Sequence, residues 1–507
     1  MNARARRTAV LTVAATGAAA VVLGLAIVLL PMPLKLALAA VVLGSGALLV
    51  TRRLPALADP PRRRLLWMFI VVYTLYFAWP RAAFLPILAL PIKHPQKLLY
   101  YGFVLLWCVV MIRSDELRRR LADALSRHRG LSATIAFMLC WRIAAAVAAT
   151  HPFYSLPRVI DEIVSLYLAF VIVVSLVDDE RDARRLIAAL IAVALFNVST
   201  AIPEVAWRRN VFEPFITLNL LDPGMAQQIV GEKLRAGAVR AQAAFSHPLL
   251  FAEFLAVLIP FQLAAWITSR RRWRHALLGL GMVLGIVLAR TRTGMLVAAL
   301  GVVGMSVLVA LLNRRRADGS AALVALGLPT LAVCAILFAM LAAPLIVGRS
   351  LEEMGSSYAR VRMLYASLPM IARHPLLGHG PALGAYELDF RSAPEGVRTL
   401  DSHLLLAALD AGIPYLAAFV AVIAGTAWTL IRHARATRPP SASIVFACAA
   451  VCATMGFLAF KLILGTDQNN SLMFVLAGLA VALDRSSRES GGVRDAGGRQ
   501  GAGDAVG

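Results

Sequence analysis

Apolar runs of about 15 to 28 residues recur along nearly the whole chain, and that feature leaves few folds open. A run of ~20 apolar residues matches the ~30 Å hydrocarbon core of a bilayer. Composition agrees: 60% of residues are hydrophobic and 16% charged, with mean hydropathy +0.74, whereas soluble domains have ~25% charged residues. A soluble globular enzyme and a disordered protein are both excluded. The expected class is all-α: a polytopic helical membrane protein.

The pattern predicts about fourteen spans, near 9–30, 34–50, 65–80, 97–112, 131–149, 160–177, 186–203, 247–268, 275–290, 294–312, 321–347, 403–431, 441–464 and 470–483. The first follows MNARARR and runs to Pro31 without a small-residue cleavage site, which reads as an uncleaved anchor with both termini cytoplasmic. A net charge of +23 raises the question of nucleic-acid binding. The basic residues instead flank spans, so no nucleic-acid partner is expected. With Met1 inside, the cytoplasmic segments carry 31 of the 51 Lys and Arg residues, in short stretches such as Arg62-Arg63-Arg64 and Arg270-Arg271-Arg272, as the positive-inside rule requires. Cys108, Cys140, Cys334, Cys448 and Cys452 all lie in apolar runs, where a thiol behaves as a small hydrophobe. Neither a disulfide framework nor a metal site is expected from them.

These spans divide the chain into an N-terminal transmembrane bundle (1–203), a loop (204–246), a transmembrane core with an arginine turn (247–347), a larger loop (348–402), C-terminal spans (403–484) and a polar, Gly-rich tail (485–507) read as disordered. Both long loops fall on the outer side, and loops beyond ~12–15 residues are usually functional or disordered. Trp207, Phe212, Phe215, Tyr358, Tyr365 and Tyr386 argue against disorder in these two, which places the chemistry on the outer face. Within the second, Ser357 to Ala372 reads as an amphipathic helix lying at the interface, with Val361, Leu364, Leu368 and Ile371 as its apolar stripe.

Three clusters carry chemistry. The first, RAQAAFSHPLLFAEF, holds Arg240, then Ser246 and His247 at a membrane boundary and Glu253 about two turns inside. An ionisable residue in a span is a functional candidate; its alternative is a satisfied interhelical hydrogen bond. The second, ARTRTGMLVAALGVV, places Arg290 and Arg292 in a tight turn between two spans, as a bidentate phosphate clamp or as interfacial anchors. The third runs from RHPLLGHGPALGAYE to DSHLLLAALDAGIPYL. It gives a glycine-rich turn followed by Asp401-Ser402-His403, where Ser402 caps a helix, His403 is a candidate base and Asp401 is close enough to orient its ring.

At these clusters the sequence resembles the O-antigen ligase superfamily, which includes bacterial O-antigen and exopolysaccharide polymerases. RTRTGMLVAALGVV is similar to the family's Ser-Arg-Thr-Gly opening of a span and maps its arginine to Arg292; Arg360 followed by RHPLLGHGPALGAYE resembles its Arg, amphipathic helix and His-Pro-Leu-Leu-Gly-x-Gly-Pro; SHLLLAALDAGIPYL maps its histidine to His403. Leu404 stands where the family has Asn, Thr291 where it has Ser, and the Arg240 segment matches only loosely.

The resemblance implies a GT-C-type glycosyltransferase of the bacterial inner membrane that needs no metal or other cofactor. It would move an undecaprenyl-diphosphate-linked glycan to a glycan or lipid A-core acceptor on the periplasmic face. Arg292, Arg290 and Arg240 would then hold the diphosphate, His403 with Asp401 would deprotonate the acceptor hydroxyl, and Arg360, Arg362 and Glu253 would position substrates among membrane lipids. Glu352-Glu353 leaves a metal open. The competing classes are a flippase for lipid-linked sugars and a non-catalytic scaffold of a polysaccharide export complex. No convincing internal repeat supports a transporter.

Arg292→Ala is expected to abolish transfer and Arg292→Lys to restore little of it, because a point charge cannot reproduce the guanidinium fork. Steady-state turnover of the two variants checks this; a Lys variant near wild type removes the bidentate argument.

Overall fold

The computed structural model describes residues 61–80, 85–87, 90–92, 95–215, 233–235, 237–313, 351–389, 391–392, 397–398, 400–437 and 442–500. The spans expected at 9–30, 34–50 and 321–347, with Cys334, lie outside the described residues.

The helices are α1 (Arg62–Ala78), α2 (Pro95–Arg113), α3 (Asp115–Arg127), α4 (Arg129–Val147), α5 (Pro152–Leu176), α6 (Glu180–Trp207), α7 (Pro248–Thr268), α8 (Arg272–Leu288), α9 (Arg292–Asn313), α10 (Leu351–Arg373), α11 (Gly384–Leu388), α12 (His403–Ala436), α13 (Ala442–Lys461) and α14 (Asn470–Gln500). Three two-stranded hairpins of two or three residues per strand and a 3-10 turn at Glu213–Phe215 complete the described elements. Among the described residues, eight helices are long and apolar enough to cross a membrane. The other described spans of the sequence reading are α1 and α8, with 17 residues each, and the apolar first part of α14. The chain is a helical polytopic membrane protein, as its runs require; the described residues do not establish a total of fourteen spans.

Local chemistry sets the helix ends. Ser114 caps α3 by accepting from Leu117 N, Asp179 caps α6 by accepting from Asp182 N, and Ser402 caps α12 by accepting from Leu405 N. Arg208 closes α6 in the left-handed region at φ 54°. At the centre is α7, with Phe251, Phe254, Leu255 and Leu258 fully enclosed among α6, α8, α9 and α13. In lipid, apolar burial gives little net drive, so such packing rests on close side-chain fit.

One region differs from the sequence reading: the tail expected to be disordered continues α14 as helix to Gln500. On α10, Val361, Leu364 and Leu368 of the expected apolar stripe are exposed, while Met363 and Ser367 are buried. The protein-facing side of α10 packs on α12, which leaves the apolar stripe directed away from the bundle.

Ion pairs sort the connecting segments into two ends. At one end Asp178 pairs with Arg62, Arg120 and Arg485, and Asp484 with His128 and Arg432. At the other, Arg158 pairs with Asp467 and Arg360 with Asp401, and Ser246 donates to Gln468. These groups are the ones that counting spans from the sequence assigns to opposite sides.

A break in α12 fixes the second end. Gly412 has φ 80° and ψ 175°, and Pro414 lacks the N–H that would reach Asp410 O. The released carbonyls are satisfied from outside the helix: His379 N donates to Leu409 O (2.7 Å), Gly380 N to Asp410 O (2.9 Å) and Trp141 Nε1 to Ala411 O (3.0 Å). In return Ile413 N donates to Pro375 O at 2.8 Å. The Asp410 carboxylate accepts from Ala382 N and Gly384 N, and lies 3.3 Å from Arg142, which forms a bidentate pair with Glu162. The glycine-rich loop and the Gly-Ile-Pro segment are thus two halves of one clasp.

A Cβ at Gly412 would run into Leu376 O besides straining φ, whereas one at Gly102 meets nothing within 4 Å. Gly412→Ala is expected to cost more than about 2 kcal/mol and Gly102→Ala to be near neutral. Thermal unfolding in detergent compares them; equal melting temperatures would remove the clasp from the stability argument.

Candidate active site

The sequence places Arg240, the Arg290–Arg292 turn and His403 far apart along the chain, and backbone pairing brings their elements together. Ala241 N donates to Leu288 O (3.0 Å) and Arg240 Nε to Ala289 O (3.3 Å), so the Arg240 segment lies against the turn that carries Arg290. Glu204 and Asn197 on α6 hold that segment from behind. The Glu204 carboxylate accepts from Gln242 N and Ala243 N, and Asn197 Oδ1 accepts from Ala244 N. Arg290 is exposed, in the left-handed region at φ 49°, and Arg292 opens α9. Thr291 between them is fully buried, with an Oγ1 that makes no hydrogen bond.

His247 connects this arginine group to α10. Its Nδ1 accepts from Leu249 N at 3.1 Å, capping α7, so the neutral ring carries its proton on Nε2. Burial, and then the charges of Arg240, Lys233 and Arg360, push its pKa down to about 3. A histidine surrounded by cations in this way remains a neutral donor at any physiological pH.

Arg360 lies 3.5 Å from Asp401, and this corrects the expected role of Asp401. The Asp401 carboxylate faces the guanidinium of Arg360, whereas the hydrogen-bond partner of the His403 ring is Asn470, with Nε2 3.1 Å from Nδ2. Burial pushes the Asp401 carboxyl above its ordinary range while Arg360 opposes that shift. Arg362 differs from Arg360: it lies on the exposed side of α10. His403 is buried at the start of α12, its ring 5.1 Å from that of Phe419.

Glu253 also departs from expectation. It is 0% exposed, 2.9 Å from the equally enclosed Lys461, and accepts from Asn469 Nδ2 at 2.8 Å. Removing one member of such a buried pair typically costs ~3–5 kcal/mol. Glu253 braces α7 against α13 through this pair, the satisfied interhelical contact that the sequence left as its alternative.

Sequence reasoning missed the segment Thr466-Asp467-Gln468-Asn469-Asn470 between α13 and α14. Each residue ties to another element: Thr466 O accepts from Lys461, Asp467 pairs with Arg158, Gln468 accepts from Ser246, Asn469 donates to Glu253 and Leu250 O, and Asn470 meets His403. Five consecutive polar residues between two apolar runs were the available signal. Among the described residues, no group of three or more His, Cys, Asp or Glu side chains is placed to hold a metal ion.

Residues 277–420 match the family model described as O-antigen ligase, so the family resemblance read from the motifs is borne out over that segment. The match includes Arg290, Arg292, Arg360, Arg362, Asp401 and His403, and leaves Arg240, Glu253 and Asn470 outside. No curated protein matches the chain.

The depressed pKa of His247 makes a stability prediction. The unfolded chain takes up a proton near pH 6.5 and the folded chain only near pH 3, so this contribution is present above about 6.5 and is lost as pH falls toward 3. His247→Gln is expected to gain in melting temperature relative to wild type as pH falls across that window. A difference that stays constant with pH would contradict this.

Proposed function

We propose that this chain, with its O-antigen ligase domain over residues 277–420, is a glycosyltransferase of the bacterial inner membrane. It moves glycan from an undecaprenyl-diphosphate-linked donor to an acceptor sugar on the periplasmic face. The observation that carries this reading is convergence: Arg240, the turn with Arg290 and Arg292, and Arg360 come from three separate segments, yet all gather at the end of the bundle where α12 begins with His403. A diphosphate leaving group needs preorganised positive charge, and guanidiniums on rigid elements supply it without reorganising during the reaction.

In the proposed reaction an acceptor hydroxyl oxygen attacks the anomeric carbon of the donor and forms the glycosidic C–O bond. The hydroxyl proton passes to the imidazole of His403. The bond from the anomeric carbon to the diphosphate breaks, and its electron pair leaves with the undecaprenyl diphosphate. Arg292, Arg290 and Arg240 hold the departing charge, Arg360 is fixed by Asp401 beside the acceptor side, and His247 offers a neutral Nε2–H donor. The exposed rings of Trp207, Tyr358 and Tyr386 suit stacking on sugar faces. In this reading arginines take the role that a divalent ion has in other phosphate-releasing sites.

The test uses purified wild type and His403→Ala in detergent with EDTA, given undecaprenyl-diphosphate-linked glycan and lipid A-core together and separately. The expected result is product from wild type alone, with donor binding kept in the variant. Transfer to lipid A-core identifies a ligase, and longer lipid-linked chains without it a polymerase. A His403→Ala variant at wild-type turnover, or no product from folded wild type in any mixture, overturns the reading and moves it to lipid-linked sugar transport or scaffolding.

A further inference from the structure

We propose that Asn470 is the positioning residue of His403: its amide fixes the ring and its tautomer, and the 466–470 turn exists to hold that amide in place. This rests on the reading of His403 as the acceptor base. The Asn470 Nδ2 lies 3.1 Å from His403 Nε2, and an amide nitrogen only donates. Nε2 therefore presents its lone pair, and the neutral ring carries its proton on Nδ1, which is buried beside the Gly465 backbone. That is the tautomer a base at Nε2 requires, because the nitrogen that receives the proton must be the unprotonated one.

The packing fixes the backbone from which the amide reaches His403. Asn470 is 3% exposed and opens α14, with its own N–H donating to Asp467 O. Its neighbours are tied to four other elements: Asp467 to Arg158 on α5, Gln468 to Ser246 ahead of α7, Asn469 to Glu253 and Leu250 O on α7, and Ser471 to Tyr73 on α1. Phe419 backs the ring from the other side. Two further polar atoms beside this contact, Asn469 Oδ1 and Asn470 Oδ1, are buried and make no hydrogen bond within the protein. Each buried polar atom left unpaired in a folded protein calls for an explanation, and the hydroxyl donors of an acceptor sugar supply one under this proposal. The charged groups around His403 come as pairs, Lys461 with Glu253, Arg142 with Glu162 and Asp410, and Arg158 with Asp467, so the neutral amide of Asn470 is the partner that the ring itself takes. The approaching hydroxyl takes over the place of the amide N–H at Nε2, and Asn470 returns to it after the product leaves.

Asn470→Ala and Asn470→Asp test this, with melting temperature confirming that each is folded. The Ala variant should lose at least tenfold in kcat with KM changed less than twofold. The Asp variant places a carboxylate against the same nitrogen and should move the acid limb of kcat/KM up by about one pH unit. A merely structural role would not move that limb. Diethyl pyrocarbonate labelling of His403, read by peptide mass spectrometry, supplies a measure independent of turnover: removing the amide uncovers the Nε2 lone pair, and the labelling rate should rise severalfold in the Ala variant. An unchanged labelling rate, or wild-type kcat in the Ala variant, overturns the proposal. If wild type makes no product in any mixture the glycosyltransferase reading fails instead, and labelling still decides whether Asn470 holds the ring.

Discussion

A helix broken inside an apolar medium must find partners for every backbone group it releases, since each unpaired group there costs several kcal/mol. The break at Gly412 in α12 imposes that demand, and the loop from Pro375 to Gly384 meets it with backbone N–H groups, assisted by Trp141. Much of the end where α12 begins follows from this clasp. The loop can dock only if the chain turns sharply after α10, which lays α10 across α12 and brings Arg360 to Asp401 just ahead of His403. Asp410 extends the clasp into α4 and α5 through Arg142 and Glu162, so one disruption of the helix ties four segments together.

A second constraint is the cost of enclosed charge. Glu253 and Lys461 are both fully buried, and neither is tolerable there without the other. Their pairing locks α7 to α13 and, through Asn469 and Thr466 O, fixes the turn that leads to Asn470. The charged residues inside the membrane are therefore framework, and the cations suited to substrate stand at the end of the bundle. This arrangement suits group transfer at a surface better than passage through the midplane, where a transporter carries its site.

The site itself is a balance between cations and groups kept neutral among them. His247 is held unprotonated by burial and by Arg240, Lys233 and Arg360, while Asp401 offsets Arg360. Positive charge preorganised in this way is what the proposed transfer asks of the site, since it would stabilise a departing diphosphate more than an incoming neutral sugar.

The sequence by itself determined the class of the protein, most of its described spans and the family signature, and it put forward the arginines and His403 as candidates, because apolar length, flanking charge and short motifs are local properties. It could also show Lys461, Arg142 and the polar run at 466–470 as oddities, but not their meaning. Only the tertiary structure decided that Asp401 lies against Arg360, that Arg360 is partly buried while Arg362 is exposed, that Glu253 pairs with Lys461, and that Asn470 meets the imidazole of His403. It also turned the apolar stripe of α10 outward and carried α14 as helix to Gln500. The physical reason is the same in each case. Which of several plausible partners a polar side chain takes depends on contacts between residues 67 positions apart for His403 and Asn470 and 216 apart for Glu253 and Asn469, and those distances are set by how the helices pack.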